Sequence, residues 1–251
     1  MVWFAAAGVM ALAACQEKAG YTIKGTAEGA SDGDMVYLQN RTENGFEALD
    51  STVVKGGAFE FKGVPDSVAA LRYITYSNGD SHMAAMIFVE PGTVTVNMSA
   101  QESRVSGTAN NDVMQGFMDE YKRINDEMES IYKKATTDST LTAAQQDSLM
   151  KVLDGKEAEG TGRILQMLSE NVDKAAGAEL LGMFGMGFEV ADVQPLLEKV
   201  PAPLASNPSL VRLKEYVDVR VKTSEGQKYT DFALDTPEGK QVKLSDYVAK
   251  N

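Results

Sequence analysis

Cysteine and histidine are almost missing from this 251-residue chain, with one of each, Cys15 and His82. A single thiol excludes an internal disulfide, a Cys-x-x-Cys redox pair and a thiolate metal site. His82 lies beside the turn-forming pair Asn78-Gly79, which places it at the surface rather than in a catalytic centre. With the only cysteine assigned elsewhere, Ser-His-Asp, Cys-His and His-rich zinc sites are not expected. Positive charge is also scarce: 24 Lys and Arg face 36 Asp and Glu, for a net charge of −12. That balance argues against nucleic acid, which needs clustered Lys and Arg, and against docking by charge on an anionic bilayer. Its plainest consequence is solubility. A hydrophobic content of 43% with 24% charged residues is nonetheless ordinary globular composition.

Long apolar runs are lacking too. The one candidate, residues 2–14, falls short of the ~20 residues a bilayer span needs. It fits a secretory h-region instead, because small residues precede a polar switch at Gln16-Glu17-Lys18. Leu12-Ala13-Ala14-Cys15 resembles the lipobox of bacterial lipoproteins. The resemblance implies a signal peptide over 1–15 and diacylation of Cys15 (a palmitate-type lipid), which becomes the mature N-terminus. The basic residue an n-region should carry is absent before the run, so the start is expected to lie upstream. Gln16 is not the Asp that often retains lipoproteins at the inner membrane. The expectation is a cell-envelope protein on the outer membrane, facing the periplasm or the surface, with the bilayer as partner through Cys15.

Residues 20–107 read as β structure. Ala58-Phe59-Glu60-Phe61-Lys62 and Thr93-Val94-Thr95-Val96-Asn97-Met98 alternate strictly, the pattern of strands with one buried face. Gly56-Gly57 predicts a tight hairpin, since both positions tolerate positive φ. Further strands are expected at Met35-Val36-Tyr37-Leu38, over 71–76 and at Met86-Ile87-Phe88-Val89, with turns at Asp32-Gly33, Asn78-Gly79 and Pro91-Gly92. Short strands with regular turns predict an antiparallel sandwich or barrel, and the fold expected is an antiparallel β-sandwich.

Residues 110–222 switch to helical spacing. Asn110-Asn111-Asp112 offers caps, and Val113, Phe117, Tyr121, Ile124, Met128 and Ile131 share one helix face. Thr142 with Gln145 three residues on is a capping box, opening a helix carried by Leu149, Leu153, Ile164, Leu168 and Val172 and kinked near Gly160-Thr161-Gly162. Shorter helices are expected over 178–183 and 192–200, and one from Pro208, with Asn207 as its cap, to about 222. The fold class is therefore α+β. No repeat is present. Gly182-Met183-Phe184-Gly185-Met186-Gly187 lacks the preceding strand and the Lys-Ser/Thr of a phosphate loop, so close helix packing or a C-cap explains it. Asp112, Asp119 and Glu120 suit the start of a helix and are not read as a catalytic pair. No catalytic, cofactor-binding or metal-binding residue is assigned; the one site residue is Cys15, for lipidation.

The final stretch, KYTDFALDTPEGKQVKLSDYVAKN, reads as a hairpin around Thr236-Pro237-Glu238-Gly239, followed by a helical turn capped by Ser245. Tyr21-Thr22-Ile23-Lys24-Gly25-Thr26, Asp50-Ser51-Thr52-Val53, Phe59-Glu60-Phe61 and Gly107-Thr108 with Asn110-Asn111-Asp112 resemble a β-domain of unknown function. That domain occurs in lipoproteins of Gram-negative anaerobes, usually followed by helices and a thioredoxin-fold domain. Tyr229-Thr230-Asp231-Phe232 with Gly239-Lys240, Val242 and Leu244-Ser245-Asp246-Tyr247 is similar to the entry hairpin of such a domain. The type is that of alkyl hydroperoxide reductase/thiol-specific antioxidant proteins and thiol-disulfide oxidoreductases, although the usual Ala-Pro is replaced by Tyr229-Thr230. The resemblance implies that residues 226–251 begin an incomplete thioredoxin-like domain whose Trp-Cys-x-x-Cys follows, and that no catalytic residue lies in this chain. It gives two expectations. One is a non-catalytic N-terminal module of an envelope thiol-disulfide oxidoreductase, with envelope thiol/disulfide proteins as partners. The other is a non-enzymatic lipoprotein that binds a ligand or an envelope protein.

Overall fold

A computed structural model describes residues 19–79 and 81–248. The signal-peptide and lipobox residues, Cys15 included, lie outside the described residues.

Eight strands come first: β1 (Tyr21–Ala27), β2 (Met35–Thr42), β3 (Gly45–Val53), β4 (Ala58–Gly63), β5 (Ala70–Ser77), β6 (His82–Val89), β7 (Gly92–Met98) and β8 (Arg104–Ser106). They form two open four-stranded sheets, ordered β4-β1-β7-β8 and β3-β2-β5-β6. The alternation seen in the sequence decides the packing. Ile23, Phe61, Val94 and Val96 of the first sheet and Val36, Ile74, Tyr76 and Ile87 of the second fill one core between them. The sheets are not wholly antiparallel, which departs from the sandwich expected of the strand pattern. β1 pairs β7 in parallel, Ile23 opposite Val94, because β1 enters the middle of its sheet between β4 and β7. Side-chain period is the same in both pairings, so strand direction is not written in it. Gly56 and Gly57, at φ +59° and +74°, turn the chain from the second sheet into the first.

Five helices follow: α1 (Ala109–Thr137), α2 (Ala143–Asn171), α3 (Ala175–Phe184), α4 (Val190–Leu197) and α5 (Pro208–Lys222). The capping box of Thr142 and Gln145 starts α2, and Asn207 caps α5 by accepting from the Ser209 N–H. The helix is continuous through the Gly160-Thr161-Gly162 stretch where a kink is expected. Gly160 admits Ile124 of α1, whose Cγ2 would lie 2.7 Å from an added Cβ. A second core joins these helices through Phe117, Leu168, Leu180, Leu181 and Leu213. It also takes in Phe88 and, partly, Leu71, which lie on the outer side of the second sheet. The architecture is thus α+β, with helices packed against one end of a two-sheet module.

The chain closes on a small antiparallel hairpin, β9 (Ala233–Asp235) with β10 (Gln241–Lys243), and a 3-10 turn at Leu244–Asp246.

Candidate functional site

Side-chain hydrogen bonds gather at the join between strands and helices. Phe88 lies on β6, an edge strand. Asn111, 1% exposed, brackets it: the Phe88 N–H donates to Asn111 Oδ1 at 2.8 Å, and Asn111 Nδ2 donates to the Phe88 carbonyl at 2.8 Å and to Thr108 Oγ1 at 2.7 Å. The side-chain amide acts as a one-residue strand on that edge. Asn110 works beside it. Its N–H and Nδ2 donate to the Glu90 carboxylate, while its Oδ1 accepts from Ala176 N–H at the start of α3. Asp112 accepts from Gly107 N–H, and Gln115 accepts from Val105 N–H. Residue type alone makes Asn110-Asn111-Asp112 helix caps. In the structure the N-cap is Thr108, which makes no side-chain cap bond, and the two asparagines tie the modules together.

Buried acid serves the same end. Glu179 of α3 is 9% exposed and accepts from Asn207 Nδ2 and, at 3.1 Å, from Ser209 Oγ, holding the start of α5. Two of the three glycines of 182–187 are packing residues: an added Cβ at Gly182 would meet Ser209 at 2.6 Å, and one at Gly185 would meet Leu213 at 2.5 Å, whereas Gly187 faces open space. Phe184 packs instead on Phe117 and Tyr121.

Of the other acidic residues near the start of α1, Asp119 binds Arg104 at 2.6 Å, and Glu120 binds Arg123 and Arg163. The latter pairs extend through Glu127, Lys156 and Glu159 into a network between α1 and α2, lining a cleft of about 310 Å³. Arg123, hydrogen-bonded first to Glu120, is pushed up, and Glu120 is pushed down by the same bond. Exposed pairs of this kind, screened by solvent, add little to stability. His82 is exposed at the start of β6. Among the described residues no group of His, Cys, Asp and Glu is placed to hold a metal ion, and no helix is long and apolar enough to cross a membrane.

Two further clefts are open. One of about 370 Å³ runs between α4 and α5, floored by Leu197, Val200, Leu210 and Val217. The other, about 570 Å³, lies on the outer face of the first sheet. Alternation puts Lys24 and Thr26 of β1, Glu60 of β4, and Thr95 and Asn97 of β7 on that face, and Thr52 and Lys55 rim it at the corner leading into β4. Thr26 Oγ1 donates to Asn97 Oδ1 at 3.0 Å. Glu60 is engaged by Lys62 at 2.5 Å, and that bond above all holds its carboxyl below the usual range. The sheet's close packing depends on Gly25, opposite Phe59: a Cβ there would lie 1.9 Å from the Phe59 ring tip. This cleft is not legible in the sequence. The Lys-x-Thr and Thr-x-Asn alternation marks a solvated face, but only the parallel pairing of β1 with β7 sets those faces side by side.

The same module carries a family likeness. Residues 21–114 match the family model described as Domain of unknown function (DUF4369). No curated protein matches the chain. The matched stretch contains every residue lining the sheet cleft and extends past the last strand to include Asn110, Asn111 and Asp112.

Proposed function

We propose that this chain is a non-catalytic accessory module of a lipid-anchored envelope protein whose redox chemistry resides in a thioredoxin-like domain built on residues 226–251. The observation that carries the proposal is the C-terminal hairpin. Phe232, Leu234 and Tyr247, gathered on one small strand-turn unit, are 53%, 63% and 72% exposed. Yet the unit is locally well formed. Asp231 accepts from the N–H and the hydroxyl of Ser245, the Leu244 N–H donates to the Phe232 carbonyl, and the Lys243 N–H donates to Asp246. A hairpin that is closed by its own hydrogen bonds while leaving its apolar residues uncovered is suited to start a sheet. The resemblance of these residues to a thioredoxin-fold entry hairpin points the same way.

In this reading Cys15 carries the lipid and the two-sheet module and helices set partner choice and height above the bilayer. More than one acyl chain makes such an anchor stable, at about 0.8 kcal/mol per buried methylene. Two measurements test the proposal. Cys15→Ala should move the protein from the membrane pellet to the soluble fraction. A polypeptide extended through a downstream Trp-Cys-x-x-Cys should reduce insulin disulfides with dithiothreitol, while residues 16–251 should not, since exchange needs an attacking thiolate. Retention of the Cys15→Ala protein on membranes, or turnover by residues 16–251, overturns it.

A further inference from the structure

We propose that the cleft on the outer face of the first sheet binds a saccharide carrying an anionic group. This inference stands apart from the lipid anchor and from any redox domain.

The charge around the cleft runs against that of the chain. Within the two-sheet module the basic residues are Lys24, Arg41, Lys55, Lys62, Arg72 and Arg104. Among the described residues Lys62, Arg72 and Arg104 are held in ion pairs, with Glu60, Asp66, and Glu102 and Asp119. Of the three that are not, Lys24 and Lys55 both line this cleft. The one carboxylate lining it, Glu60, is in contact with Lys62 and sits across the strand pair from Lys24. A cleft in a protein of net charge −12 therefore presents two ammonium groups held in no ion pair among the described residues, against a single carboxylate that Lys62 already engages. An ammonium group is a point-charge donor to carboxylate or phosphate.

The remaining groups select for hydroxyls. Asn97 takes the Thr26 hydroxyl on its Oδ1, which commits the amide oxygen and leaves its NH₂ to donate. The Thr95 hydroxyl can donate and accept. The open cleft, about 570 Å³ across the sheet face, is roomier than a bare anion requires. Two features exclude other occupants. β1 and β7, which carry Lys24, Thr26, Thr95 and Asn97, are interior strands of their sheet, so an added peptide strand could pair only at the outer edge of β4 and not along these groups. Two lysines are also too few for nucleic acid, whose binding rests on many phosphate contacts.

The test is calorimetric titration of the full chain at low salt with trigalacturonate, maltotriose and inorganic phosphate. Trigalacturonate should bind at least tenfold more tightly than either of the others. The double variant K24Q/K55Q should lose at least tenfold in affinity for it, as should N97L. Lys133→Gln, on the exposed side of α1, should change nothing. Amide resonances of Lys24 to Thr26 and Thr95 to Asn97 should shift on titration, which reports location even if a variant folds poorly. Equal binding of maltotriose removes the anionic requirement, and equal binding of phosphate removes the sugar. No binding, unchanged affinity in K24Q/K55Q, or shifts confined to other residues overturns the proposal.

Discussion

Replacing Asn111 is the sharpest test of how the two modules are joined. The Phe88 N–H and carbonyl each find their partner in this one side chain, at 2.8 Å, in a site where Asn111 is 1% exposed. Asn111→Ala strands both. Each buried backbone group left without a partner costs about 1–3 kcal/mol, so the two together should cost roughly 2–6 kcal/mol. Entry of a water would bring the loss toward the lower end. Asn111→Leu separates the causes: it fills the volume yet strands the same two groups, so its loss should match that of Asn111→Ala. Asn111→Asp adds a sign. A carboxylate can accept from the Phe88 N–H but opposes the Phe88 carbonyl, which raises its folded pKa above the unfolded value of about 3.9. Its destabilisation is then full above the folded pKa, is relieved as pH falls through that raised value, and its pH-dependent part is gone below about 3.9, since the proton restores a donor. Guanidinium unfolding followed by circular dichroism measures all three. Losses below about 1 kcal/mol in both Asn111→Ala and Asn111→Leu would refute the bracketing role, because the stranded groups alone exceed that.

Gly25→Ala should destabilise the two-sheet module by about 1–3 kcal/mol through overpacking on Phe59. Phe59→Leu in the same chain should recover part of the loss in a double-mutant cycle, and strictly additive effects would contradict the contact. The Tyr76 hydroxyl, 2.7 Å from Asp34, together with the Ser31 N–H, holds the Asp34 carboxyl below its usual range. A depressed carboxyl contributes stability that is present above its unfolded pKa and lost as pH falls through the folded one. Asp34→Asn or Tyr76→Phe should therefore flatten the acid limb of the stability profile below about pH 4, and an unchanged limb would count against the pair. Amides of 233–243 should exchange with deuterium far faster than those of β4, because the hairpin's apolar residues are exposed while Phe59 and Phe61 are 5% and 2% exposed; comparable protection would mean that the hairpin is covered.

Local signals in the sequence told the truth about local structure. Gly56-Gly57 is a turn, Thr142 and Gln145 form their capping box, and Asn207 caps α5 ahead of Pro208. Period-two alternation marked which side chains of β4 and β7 face the core. What the sequence could not carry was pairing between distant segments. The parallel alignment of β1 with β7 joins residues about 70 apart, and no periodicity encodes it. Gly160 has the character of a helix breaker, but a residue in contact with it, Ile124, makes the missing side chain a packing requirement. Asn111 shows the same limit. Its identity suits an N-cap, and only the placement of β6 at a sheet edge turns it into a partner for Phe88. The sheet cleft was hidden for this reason too, since its lining is gathered from strands remote in sequence. Cys15 and its lipobox rest on sequence pattern alone.

The reach of the family match to residue 114 fits this mechanical reading. The eight strands of the two large sheets end at Ser106, so a boundary drawn from those strands alone would fall at Gly107. A polypeptide over 19–107 would keep the sandwich core but lose the groups that serve it from α1: Asn111 for Phe88, Asp112 for Gly107 and Gln115 for Val105. The Phe88 ring, 2% exposed and seated among the helices, would also face water, a loss of about 1.5–3 kcal/mol for one large apolar side chain. Small domains hold only about 5–15 kcal/mol in total, so these losses decide whether the strands fold alone. The expected outcome is that residues 19–107 unfold at markedly lower guanidinium than the strands of the whole chain do. A polypeptide carried through the end of α5 should restore the midpoint. If residues 19–107 unfold with the same midpoint, the strands are self-sufficient and the asparagine brackets serve orientation rather than stability.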